Sequence, residues 1–150
     1  MKPALKLAAA AVLLGTGVSA APLCDGDEMG FAGLLAKCNT GEGAEIVLAS
    51  GKALYEGGPI MLQSGAYYEF EIVSDGSAEL AIAGPEFFRA VWVDEVVIND
   101  LEVRPLGLDS FEFDDAGTIE LGFVAIKPGR YYLKIPGSTG ATQRVDIQIQ

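Results

Sequence analysis

Polar and apolar residues alternate most clearly over residues 66–73 (AYYEFEIV). Tyr68, Phe70 and Ile72 fall on one side and Glu69 and Glu71 on the other, the period-two pattern of a strand with one wet face. Short apolar runs bounded by turn residues recur at 44–49, 60–63, 79–83, 110–113, 118–126, 131–135 and 144–149. Residues 86–92 read as a further strand, with Phe88, Ala90 and Trp92 on one face and Phe87, Arg89 and Val91 on the other. Residues 96–98 and 101–104 flank Asn99-Asp100, a pair suited to a two-residue hairpin although glycine is the usual second residue. Ser50-Gly51, Ser74-Asp75-Gly76-Ser77 and Gly84-Pro85 punctuate the runs. Asp114-Asp115-Ala116-Gly117 does the same, with Gly117 expected at positive φ. Only residues 28–37 read as helix, capped by Asp27 and turning Phe31, Leu34 and Leu35 inward. Six to nine short strands, spaced about 8–12 residues apart, predict an all-β, antiparallel Greek-key β-sandwich with a short N-terminal helix.

Residues 1–20 depart from this pattern and read as a secretory signal peptide. Lys2 and Lys6 supply the positive start, residues 7–14 the apolar core, and Val18-Ser19-Ala20 the small-residue cleavage site. The apolar core is shorter than the roughly 20 residues that span a bilayer, so cleavage after Ala20 is expected, with no membrane insertion afterwards. Residues 21–150 then form a single domain, large enough for one core of its own. Its expected location is the periplasm. Leu23, before Cys24, is too bulky for the lipid-attachment pattern.

Loss of Lys2 and Lys6 with the leader takes the net charge from −11 to −13. Such acidity argues against nucleic acid or anionic lipid as a partner. It serves solubility equally well. In an oxidising compartment Cys24 and Cys38 are expected to form a disulfide, closing a loop worth roughly 3 kcal/mol in the chain-entropy model. A reactive thiol pair, or a soft metal site with Met29, is the alternative use of the same sulfurs.

Residues 121–137 (LGFVAIKPGRYYLKIPG) resemble the end of the cupredoxin family. In that family an apolar strand passes through a Pro-Gly turn into Gly-x-Tyr-x-aromatic-x-Cys, with a histidine and then a methionine in the copper-binding loop. Residues 60–73, with Gly65 before a strand of tyrosines, resemble its early Gly-strand unit. The resemblance covers about half of residues 21–150 and implies cupredoxin-like topology. It keeps Gly129 and Tyr131, but places Ile135 at the thiolate ligand, Ser138 near the loop histidine and Gln143 near the axial methionine. A type 1 copper site needs two imidazoles and a thiolate, and the chain contains no histidine. The resemblance therefore implies a scaffold without type 1 copper, and no cofactor is expected.

The remaining chemistry is sparse. A histidine-containing triad is impossible. Gly41-Glu42-Gly43 and Gly57-Gly58 lack the rest of a phosphate-binding motif. Asp109, Glu112, Asp114 and Asp115 form an oxygen-rich cluster, but acidic β-turns have local reasons for aspartate. The densest aromatic segment holds Phe87, Phe88, Arg89 and Trp92, which are residue types enriched at interface hot spots and equally at home in a sandwich core. These four are the candidate partner-binding residues. The expectation is a non-catalytic binding or accessory protein that engages a periplasmic protein. A metal-handling protein, holding copper or a hard cation through Met29, Met61, cysteine or carboxylates, is the second reading.

Overall fold

The computed structural model describes residues 22–150 and arranges them as two five-stranded sheets packed face to face. In the first sheet the order is β1 (Ala44–Leu48), β3 (Tyr67–Ser74), β8 (Gly117–Ala125), β5 (Val91–Ile98) and β6 (Leu101–Val103). In the second it is β2 (Ile60–Leu62), β10 (Arg144–Ile149), β9 (Gly129–Lys134), β4 (Leu80–Ala83) and β7 (Ser110–Phe113). The chain changes sheet at most of its links, and only β5–β6 and β9–β10 join neighbours within one sheet. The expected all-β Greek-key β-sandwich is present, and the leader at residues 1–20 lies outside the described residues. No helix among the described residues is long and apolar enough to cross a membrane.

Two pairs differ from the antiparallel expectation. β1 runs parallel to β3, and β2 runs parallel to β10. Between β1 and β3 the chain crosses to the other sheet and back, so it re-enters the first sheet in its original direction.

The alternation of residues 66–73 translates directly into layers. Tyr68, Phe70 and Ile72 are buried while Glu69 and Glu71 are exposed. Register then sets Phe70 opposite Leu121 and Ile72 opposite Ile119 on the inner face. Phe123 stands edge-on to Phe70 at 4.9 Å and to Phe87 at 5.4 Å, the quadrupole-favoured arrangement for packed rings. The β5–β6 hairpin forms as expected, with Asn99 at φ 47° and Asp100 at φ 64°, as a type I′ turn requires.

Three local expectations fail. The helix over residues 28–37 is reduced to one turn, α1 (Gly26–Met29), followed by 3-10 turns over Gly30–Leu35 and Lys37–Asn39. Gly30 (φ 49°) and Gly33 (φ 57°) leave helical geometry, which breaks the apolar stripe, and Phe31, Leu34 and Leu35 are exposed. The N-cap is Asp25 instead of Asp27 and makes no side-chain cap bond. Residues 86–92 are not one strand. Pro85 opens a helical turn, α2 (Pro85–Phe88), its fixed φ suiting the first helical position, and β5 begins only at Val91. Gly117 has no positive φ; it starts β8, because β7 and β8 lie in different sheets and no hairpin joins them.

Cys24 and Cys38 are joined in a disulfide, with Cα atoms 5.7 Å apart. The segment is tied to the sandwich by Asn39, which is wholly buried. Its Nδ2 donates to the carbonyls of Leu34 (3.0 Å) and Gly65 (2.9 Å), and its Oδ1 accepts from the Leu23 N–H (2.9 Å).

Candidate functional site

β5 pairs with β8 along most of its length, but β6 covers only Val96–Ile98 on its other side. A bulge between Val93 and Glu95 shifts the register there, a device that bends a strand and re-aims its side chains. Val91, Trp92 and Val93 therefore keep an edge that no strand among the described residues covers. The segment after β6 runs beside that edge and encloses a cleft of about 170 Å³, lined by Phe88, Val91, Trp92, Val93, Pro105, Leu106, Gly107 and Leu108. Phe88, 6% exposed, belongs to the buried core below the cleft, while half-exposed Trp92 (49%) and fully exposed Leu106 stand at the solvent side.

Arg104 anchors this segment to β5. Its Nη1 donates to Asp94 Oδ1 (3.1 Å) and to the Asp94 carbonyl (3.4 Å), and its Nη2 to Glu95 Oε2 (3.1 Å) and Glu102 Oε2 (3.2 Å). Exposed pairs of this kind contribute up to about 1 kcal/mol each. Their combined effect is geometric, since one planar fork touches three carboxylates at once.

Beside the clamp, Gly122 lies in register with both Glu69 and Glu95. A side chain there would collide with the Tyr67 hydroxyl, so the glycine makes room for Tyr67 and Glu95 to lean together. Burial holds the Tyr67 phenol well above the ordinary tyrosine range, helped by the charges of Glu69, Glu95 and Asp94. The hydroxyl thus stays protonated, a hydrogen-bond donor and not a base. Glu95 is also raised, first by burial and next by Glu102, with Asp94 and Glu69 adding and Arg104 opposing.

The structure divides the four aromatic-segment candidates. Phe87 is wholly buried against Phe70 and Phe123, so it is a core residue with no surface to offer. Phe88 is nearly as deep but lines the cleft, and Trp92 stands on its outer side. Arg89 is exposed and lies 3.9 Å from Glu86; it is not among the cleft residues. The helical turn at 85–88 causes this split, because it turns two consecutive phenylalanines inward where a strand would have opposed them. Leu106 and Arg104 were missed. The segment RPLGLDS has no periodicity, and its one signal is apolar leucines set among Pro and Gly.

The positions at which the sequence resemblance would set copper ligands have structural work. Ile135 packs against the core, and its N–H bonds the Gln143 carbonyl (3.1 Å). Ser138 Oγ accepts from the Gly140 N–H (3.3 Å), and Gln143 Nε2 donates to the Lys52 carbonyl (3.1 Å). In the N-terminal segment Cys24, Cys38 and Glu28 offer donor atoms within 4.8 Å of one another, though both sulfurs are committed to the disulfide.

No protein-family model matches the chain, and no curated protein matches it. Similar solved structures include copper oxidases and auracyanins. A multicopper oxidase from Campylobacter jejuni is 7% identical, with 73% of this chain covering 30% of that one at a TM-score of 0.48. The blue copper oxidase from Nitrosomonas europaea is 13% identical, with 63% covering 31% at 0.49. An auracyanin from Roseiflexus castenholzii is 12% identical, with 72% covering 96% at 0.47. The chain thus spans about a third of the length of those two oxidases. The sandwich itself stands on the strand registers above.

Proposed function

We propose that this chain is a secreted, periplasmic, non-catalytic accessory protein on a cupredoxin-like scaffold without type 1 copper, and that it binds another protein through the Trp92–Leu106 cleft. The observation that carries this reading is the exposure of Trp92 and Leu106 at an open strand edge. Exposed apolar side chains grouped around a pocket mark association surfaces, and tryptophan is prominent among hot-spot residues. Phe88 gives the cleft a pre-formed wall that needs no reordering on binding.

The absence of type 1 copper is supported by the donor set. The chain has no histidine, its two cysteines are joined, and Ile135, Ser138 and Gln143 offer an alkyl group, a hydroxyl and an amide. Those groups do not fit a trigonal His₂Cys site. The non-catalytic reading is supported by the lack of any imidazole base in the sequence.

The test is chemical crosslinking of the purified protein in periplasmic extract, with wild type beside W92A/L106S. A specific adduct that forms with wild type and disappears in the variant is expected, with circular dichroism confirming the variant's fold. Identical adducts for both proteins, or none for either, would refute the cleft as a binding site.

A second reading is a metal-handling protein, in which Cys24, Glu28 and Cys38 could serve as donors only after reduction of the disulfide. Stoichiometric sub-micromolar binding of Cu(I) or Ca²⁺ in calorimetry would favour it over the first.

A further inference from the structure

The outer side of β9 and β10 carries Arg130, Lys134 and Arg144 against Asp146, in a chain with twice as many acids as bases, 21 against 10. Inward Leu133, Val145, Ile147 and Ile149 are buried, so the alternate positions of β9 and β10 face out. Register sets Arg144 beside Lys134, Asp146 beside Tyr132 and Gln148 beside Arg130. The Arg144 guanidinium lies over the Tyr132 ring at 4.2 Å, and the Lys134 ammonium is 5.7 Å from the same ring. Asp146 Oδ1 accepts from Arg144 Nε at 2.6 Å. Stacking and this single hydrogen bond fix the guanidinium plane, while Nη1 and Nη2 have no protein acceptor among the described residues. Arg130 has no ion pair among them either.

Both arginines line one cleft of about 370 Å³, together with Pro59, Asp146 and Gln148. A second cleft of about 270 Å³ shares Pro59, Arg144 and Asp146 and extends the first past Tyr55. β2 pairs only with Ile147–Ile149, so the start of β10 is left uncovered on that side. The volume suits a small molecule. Arg144 keeps Nη1 and Nη2 beside its ion pair with Asp146, and the donors of a guanidinium match the paired oxygens of an oxyanion.

We infer that this trough binds a small organic anion through its carboxylate or phosphate group. Arg130 and Arg144 hold the oxyanion, Arg144 keeping its Nε bond to Asp146. The site lies on the opposite sheet from the Trp92 cleft and does not depend on it.

Phenyl phosphate is a suitable probe, with benzyl alcohol as the same ring without charge. In nitrogen–proton correlation spectra of the mature protein, phenyl phosphate at millimolar concentration should shift the Nε–H signals of Arg130 and Arg144 and the amide of Gln148. R130Q/R144Q, both surface changes, should weaken that binding about tenfold or more, as loss of charge-assisted bonds implies. Equal shifts with benzyl alcohol, shifts that persist in the double variant, or no shift with phenyl phosphate would each overturn the inference.

Discussion

Asn39 joins the disulfide segment to the sandwich by three hydrogen bonds from one buried amide. Asn39→Ala would leave the Leu23 N–H and the Leu34 and Gly65 carbonyls without that partner. The expected cost is about 2 kcal/mol or more, because an unsatisfied buried group loses its hydration without compensation. A lower urea midpoint at unchanged slope would register it. In the sequence this residue is one letter of an Asn-Thr-Gly turn, and nothing in that turn marks it as buried. Its partners come from positions up to 26 residues away, beyond any local pattern. Tyr68, Phe70 and Ile72, by contrast, were legible, because a strand buried on one face writes its burial into every second letter.

At the scale of elements, the strands were readable and the short helical turns were not. α2 spans only four residues, too few for a 3.6-residue period to show, and its paired phenylalanines mimic a strand. The cleft was half legible for the same reason. Aromatic density pointed to Phe88 and Trp92, whereas Leu106 reaches them only because Arg104 draws its segment across β5. The disulfide segment has a separate weakness, since α1 and the turn over Gly30–Leu35 contain no buried residue. Removing the crosslink with C24S/C38S should therefore loosen residues 22–39 without unfolding the sheets. Amide exchange should accelerate in that segment while β3 and β8 remain protected, and the global loss should fall below the roughly 3 kcal/mol of the chain-entropy estimate. Equal loss of protection in both regions would contradict this.

Across the whole molecule, charge is sorted by face. Register places Glu45, Glu69, Glu71, Glu95, Glu102 and Glu120 on the outer side of the first sheet, with Glu71 directly opposite both Glu45 and Glu120. Like charges set across strands are destabilising. Burial first, and then this field through Glu102, gives Glu95 a higher affinity for a proton in the folded chain than in the unfolded one. Its stabilising contribution is complete below the ordinary glutamate range and is lost as pH rises through the raised value. Glu95→Gln should therefore equal or exceed wild type in thermal midpoint at neutral pH, and the difference should shrink on acidification into the glutamate range. A variant clearly less stable at pH 7 would show that the Arg104 contact outweighs burial and repulsion.

The parallel pairing of β2 with β10 has a consequence for how the chain folds. Among the described strands, β2 hydrogen-bonds only to β10, so β2 has no strand partner until a segment far along the chain has come into place. Pairings of such long sequence separation close slowly. Until that pairing closes, the apolar residues of β2 stay exposed to aggregation.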